Sequence, residues 1–210
     1  MGKEQREWDD KHNNLPFLDE NHNAAKSIKD GILFIKRSRI AYAATTPCTP
    51  YFSHQRAFWN NARLNCEENP PVIESKVFDC DIKISEQTIR EVWRFCDSSD
   101  QPKEIPRVVN WGCLLRMKYA VDLRDKGGIN KGFLPPVYKY IADVVIHVLA
   151  GRKSGYDDLP HVLQSALTAL VLNKPFNFSG MIFDNMKDIC KGAKTKFLMY
   201  PRFIQMMIDL

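Results

Sequence analysis

With 210 residues, 44% of them hydrophobic, the chain has enough apolar content for a real core and is no disordered tail. The opening MGKEQREWDDKHNN is too polar for a signal peptide, six cysteines (48, 66, 80, 96, 113, 190) form no C-x-x-C pair, and no apolar run reaches the roughly 18 residues of a membrane span, so a soluble intracellular protein, cytoplasmic or nuclear, with reduced thiols and no membrane partner is expected. The charge of +5 is uneven, with 14 basic and 16 acidic side chains in residues 1–100 and 16 basic and 9 acidic in residues 101–210, an asymmetry compatible with nucleic acid but also with a solvated surface.

Residues 1–22 are charged and Asn-rich and predict a loosely ordered N-terminal arm; 23–210 predict an α-rich domain. Ser27 and Asp30 form an S-x-x-D box, followed by Ile28, Ile32, Ile35 and Ala43 at helical spacing. Pro47 and Pro50 break the chain, and YFSHQRAFWNNARL predicts a short helix presenting Phe52, Phe58 and Trp59. After Pro70 and Pro71 the period changes to two. Phe78, Cys80, Ile82 and Ile84 alternate with Asp79, Asp81 and Lys83, as in a half-buried strand or a hairpin turning near Asp79 and Cys80. Ser85 caps a helix with Ile89, Val92, Trp93 and Cys96 inward. VVNWGCLLRMKYAVDL predicts a shorter helix interrupted by Gly112, and DKGGINKGFLPP a flexible loop.

The strongest helix opens at Pro135 and Pro136 and runs to Gly151, with Val137, Tyr140, Ile141, Val144, Val145, Val148 and Leu149 on one face. Asp158 is the expected cap of the next, which turns Leu163, Ala166, Leu167 and Leu170 inward. Ile182, Phe183, Met186, Ile189 and Cys190 predict a third helix stopped by Gly192, and Pro201 starts a fourth carrying Phe203, Ile204, Met207 and Ile208. The expected fold is mainly α: a single helical domain of about six to eight helices with one small β-hairpin near 72–84.

Catalytic grammar is missing. The sequence has no phosphate-cradling G-x-x-x-x-G-K-[ST], no G-x-G-x-x-G, no G-x-S-x-G elbow and no H-E-x-x-H pair, so no catalytic residue, cofactor or metal is expected. His147, four residues after Asp143, reads as a helix-surface histidine beside an acid. The best functional candidate is the basic segment 187–202, where Lys187, Lys191, Lys194, Lys196 and Arg202 interleave with Phe197, Tyr200 and Phe203. Lysines would bind phosphates and aromatics would stack on bases; alternatively the lysines solvate a turn and the aromatics are buried.

SRIAYA at 38–43, Phe58-Trp59, the hairpin followed by ISEQTIREVW, FNFSGMIFDNM and above all KFLMYPRFIQ resemble an uncharacterised domain of copia-type LTR retrotransposon polyproteins of plants, a group carried under the loose label of plant transposon protein. The likeness covers about residues 28–210. It implies a mostly helical, element-derived accessory region and, because such polyproteins continue further, a domain truncated at Leu210. It carries over no catalytic residues. Relatives can show Asp-Gly at the hairpin turn where Asp79-Cys80 stands here. The resulting expectation is a non-enzymatic interaction or assembly module, with self or other element-encoded proteins as partners. The alternative is a weak, nonspecific nucleic-acid-binding module, and a degenerate enzyme is third.

Overall fold

Local breaks decide where each element ends. The computed structural model describes residues 26–120, 128–151, 155–191 and 198–209. The arm expected at 1–22, the helix stop at Gly192, and Lys194, Lys196 and Phe197 lie outside them.

The first helical stretch is two helices, α1 (Lys29–Arg37) and α2 (Ala41–Thr45). Ser38 separates them: its hydroxyl donates to the Ile35 carbonyl at 2.8 Å, its backbone is extended, and the helix cannot continue. Ile28, one residue after the expected Ser27, occupies the N-cap of α1. α3 (Phe52–Asn61) buries Phe58 and Trp59 but stops earlier than its periodicity suggests. Arg63–Asn65 instead form β1, which pairs antiparallel with β2 (Val72–Val77), itself paired with β3 (Cys80–Ile84). Val77 faces Cys80 across a two-residue turn in which Phe78 is left-handed (φ 53°) and exposed, so Phe78 and Cys80 are not on a buried side as the alternation suggested. The Ser75 hydroxyl donates to the Phe58 carbonyl at 2.7 Å and fastens the sheet to α3.

Ser85 caps α4 (Glu86–Val92) as expected, accepting from the Thr88 amide at 3.0 Å in a reciprocal box. Left-handed Arg94 then redirects the chain, burying Phe95 and leaving Cys96 exposed. α5 (Arg107–Arg116) passes through Gly112 without interruption.

Part of the expected flexible loop is ordered: β4 (Ile129–Asn130) pairs with β5 (Asp158–Leu159), and Lys131–Phe133 make a 3-10 turn. Asp158 is thereby a strand residue, and Pro160 takes the cap position of α7 (His161–Val171). α6 (Pro136–Val144) widens into a π-turn over Val145–Leu149 that ends at Gly151. The π-turn meets α7 while α6 itself packs on α1, and Ile141, Val145, Leu163 and Leu167 are buried as the periodicity predicts. α8 (Phe178–Cys190) and α9 (Pro201–Ile208) complete a mainly helical fold; nine α-helices and two small sheets among the described residues exceed the expected six to eight helices and single hairpin. One continuous core includes Phe58, Trp93, Phe176 and Phe178. No helix among the described residues is long and apolar enough to cross a membrane.

Candidate functional site

The described part of KFLMYPRFIQ, residues 198–205, enters the core. Leu198, Met199, Tyr200, Arg202, Phe203, Ile204 and Gln205 are all buried. Arg202 lies at the C-terminal end of α2, where a helix leaves carbonyls unpaired. Its guanidinium donates to the Thr46 carbonyl at 2.8 Å and to the Ala43 carbonyl. Burial pushes its pKa down to about 10, with proximity to Cys48 opposing, so it stays cationic at neutral pH. Tyr200 is left-handed (φ 54°) and directs its hydroxyl to the Leu149 carbonyl at 3.0 Å, where the π-turn ends; burial raises its phenol well above the tyrosine range. Trp59 Nε1 donates to the Met199 carbonyl at 2.9 Å, and Gln205 Oε1 accepts from the Tyr51 amide at 3.1 Å. Arg202 is therefore an interior contact, which corrects its reading as a nucleic-acid residue, while Tyr200 and Phe203 follow the alternative in which the aromatics are buried.

Of the remaining basic candidates, Lys187 sits on α8, 2.6 Å from Asp184 and over the Phe183 ring. Asp184 also pairs with Lys103; burial raises its pKa, but the two lysines outweigh that and hold it low. Lys191 is exposed at the C-terminus of α8, a favourable place for a cation. The structure thus does not gather Lys187, Lys191 and Arg202 into one exposed patch.

FNFSG, the other long motif, builds the start of α8. Asn177 accepts from the Gly180 amide at 2.6 Å, and the Asp97 carboxylate takes the Ser179 amide at 2.8 Å and its hydroxyl at 2.9 Å. Arg90 joins this knot, donating to Asp97 at 2.8 Å and Glu86 at 2.6 Å. Burial raises the Glu86 pKa, but hydrogen bonds from Asn177, Ser99 and Arg90 together hold it below the usual value. Every polar group named is engaged by a neighbour, which describes a clamp between α4 and α8.

A second polar cluster surrounds Lys131. Lys131 pairs with Asp143 and lies 3.9 Å from Asp157, while His147 Nε2 is 4.0 Å from Asp143 and the His147 ring stacks on Tyr156 at 4.7 Å. His147 has only 11% of its side chain exposed, not the surface position its spacing suggested. The cluster holds the β4–β5 ribbon on α6. Among the described residues, no group of three His, Cys, Asp or Glu side chains is placed to hold a metal ion.

The surface feature the sequence reading missed is on α5. Its inner side is anchored by Asn110, Cys113 and Leu114, with Asn110 Nδ2 donating to the Ser165 hydroxyl of α7 at 3.1 Å. The outer side exposes Val108 (73%), Trp111 (43%) and Leu115 (62%). Positions spaced by three and four residues lie on one helical face, so these three form a stripe. The signal was a helix apolar on both sides, hidden by treating Gly112 as a break. A groove of about 520 Å³ lies between α1 and the end of α7, lined by Leu33, Phe34, Arg37, Arg39 and Leu170. There Arg39 is bound to the Asn173 side chain and the Lys174 carbonyl. No protein-family model, curated protein or solved structure matches the chain.

Proposed function

We propose that this chain is a non-enzymatic interaction module derived from a retrotransposon, and that α5 carries the contact. The observation that supports this reading is the exposed stripe of Val108, Trp111 and Leu115 on a helix whose opposite side is locked into the core. Soluble domains seldom leave aligned large apolar side chains in water unless a partner covers them. The origin rests on the resemblance of FNFSGMIFDNM and KFLMYPRFIQ to the element-derived domain, and their burial means that resemblance speaks to fold maintenance rather than to a ligand.

The test is a photo-reactive phenylalanine placed at Val108, with exposed Arg56 on α3 as the control position, in cells that make the protein. Illumination should give discrete protein adducts from position 108 that survive nuclease and are missing from position 56. No adduct from 108, or adducts that disappear with nuclease, would overturn the reading; the second result would restore nucleic acid as the ligand.

A further inference from the structure

We infer that the partner of α5 is an amphipathic helix bearing an apolar stripe flanked by carboxylates. This rests on the interaction reading above and goes beyond it by assigning the chemistry of the occupant.

The inference comes from where the charges stand. At about 100° per residue, Val108, Trp111 and Leu115 fall within an arc of roughly 60°, with Arg107 on one edge and Arg116 on the other. Both arginines are exposed, as is Lys118 just beyond the helix, and no acidic residue occurs from 107 to 118. A partner reaching the stripe therefore meets positive charge on both flanks. Acidic side chains bordering an apolar strip would complement this, and basic ones would be repelled.

The stripe also has the form of a helix-packing seam. Its three side chains follow the spacing by which one helix reads another and span about two turns, roughly 10 Å. Gly112 lies among them on the exposed side, and a methyl group added there would meet nothing within 4 Å. It leaves a notch between Val108, Trp111 and Leu115 that admits a partner's side chain or backbone, a feature that a lipid surface has no use for. A second copy is disfavoured by the same charges. A second α5 brings no carboxylate to these arginines, since residues 107–118 hold none, so pairing two copies only adds like charge along the seam.

The experiment is calorimetric titration of the purified chain with a synthetic helical peptide carrying Leu at the a and d heptad positions and Glu at the flanking e and g positions, beside a twin with Lys for Glu. The Glu peptide should bind and the Lys peptide should not. Trp111→Ser should weaken binding about thirtyfold, as expected for a central aromatic anchor. The double change Arg107→Glu with Arg116→Glu should reverse the peptide preference. These variants keep the buried Asn110, Cys113, Leu114 and Met117, so cooperative thermal unfolding is the check that they fold.

Failure of the Glu peptide to bind, or binding unaffected by Trp111→Ser, would overturn the inference. So would retention of the wild type, but not Trp111→Ser, on phosphatidylserine vesicles in place of peptide binding, or a concentration-dependent dimer abolished by that substitution. Should the Glu peptide fail while cross-links from position 108 persist, the acidic helix is wrong and the interaction module stands. If both fail, the two fall together.

Discussion

Residues 198–205 and helix α5 both mix arginine with aromatic and aliphatic side chains, yet one is interior and the other is surface. The difference lies in what each arginine can reach. Arg202 meets the open carbonyls of Ala43 and Thr46 at the end of α2, so its charge keeps hydrogen bonds when water is lost. Arg107 and Arg116 sit on the outer part of a helix whose inward positions are already filled by Asn110, Cys113 and Leu114, and they remain in water. Basic residues interleaved with aromatics therefore do not identify a binding surface by composition alone. The destination of each cation depends on acceptors that come from distant parts of the chain.

Two glycines test this contrast most strongly. Gly151 is left-handed (φ 54°), and a Cβ there would lie 2.4 Å from the Tyr200 ring. Gly151→Ala should therefore cost about 4 kcal/mol in denaturant unfolding, through combined strain and displacement of Tyr200. A loss below about 1 kcal/mol would mean that the 198–205 segment is not held against the π-turn. Next in size is Arg202→Met, which strands the buried Ala43 carbonyl and frees the half-buried Thr46 carbonyl, and should cost about 2 to 4 kcal/mol. The same measurement on Arg107→Ala or Arg116→Ala should give less than about 0.5 kcal/mol. Equal losses at all three sites would erase the distinction between the regions.

How much of this was legible follows the same division. The inner faces of α6, the π-turn and α7 were readable because Ile141, Val145, Leu163 and Leu167 recur at the helical period, and all four are buried. Ser85 was readable because a cap is a local bond to Thr88, three residues on. β1 was not, because three residues, Arg63–Asn65, become a strand only through pairing with β2, and local sequence reads them as the end of α3. The inward turn of Phe95 in place of Cys96 depends on the left-handed Arg94, a conformation that periodicity does not foresee. Arg202 was misplaced because its acceptors lie more than 150 residues away. The α5 stripe is present in the residue spacing, but an interruption expected at Gly112 splits it, and the helix runs straight through that residue.

A smaller effect is expected on the acid side. The Glu86 carboxyl is held below its ordinary value in the fold, where hydrogen bonds from Asn177, Ser99 and Arg90 overcome the opposing effect of burial. A lowered carboxyl pKa stabilises the folded state above the unfolded pKa, and that stability is lost as pH falls through the folded value. Unfolding free energy should thus decline as pH drops below the ordinary glutamate value of 4.5. Glu86→Gln should flatten this decline while leaving the alkaline side unchanged. A pH profile identical to wild type would show that the α4–α8 clamp does not depend on the charge of Glu86.

The smallest expected change runs in the opposite direction. Gly112 lies within α5 in ordinary helical backbone, with open space where a methyl group would stand. Glycine in a helix interior lies roughly 0.5–1 kcal/mol below alanine because its unfolded chain has more freedom to lose. Gly112→Ala should accordingly raise stability by about that amount, where the same substitution at Gly151 is severely damaging. It should also fill the notch in the stripe and weaken binding of the Glu peptide. Stability and binding would then move apart at one residue, as expected of a surface shaped for a partner. A destabilising Gly112→Ala would mean that α5 already has a covered outer side in the free chain, and the surface half of the comparison would fail with it.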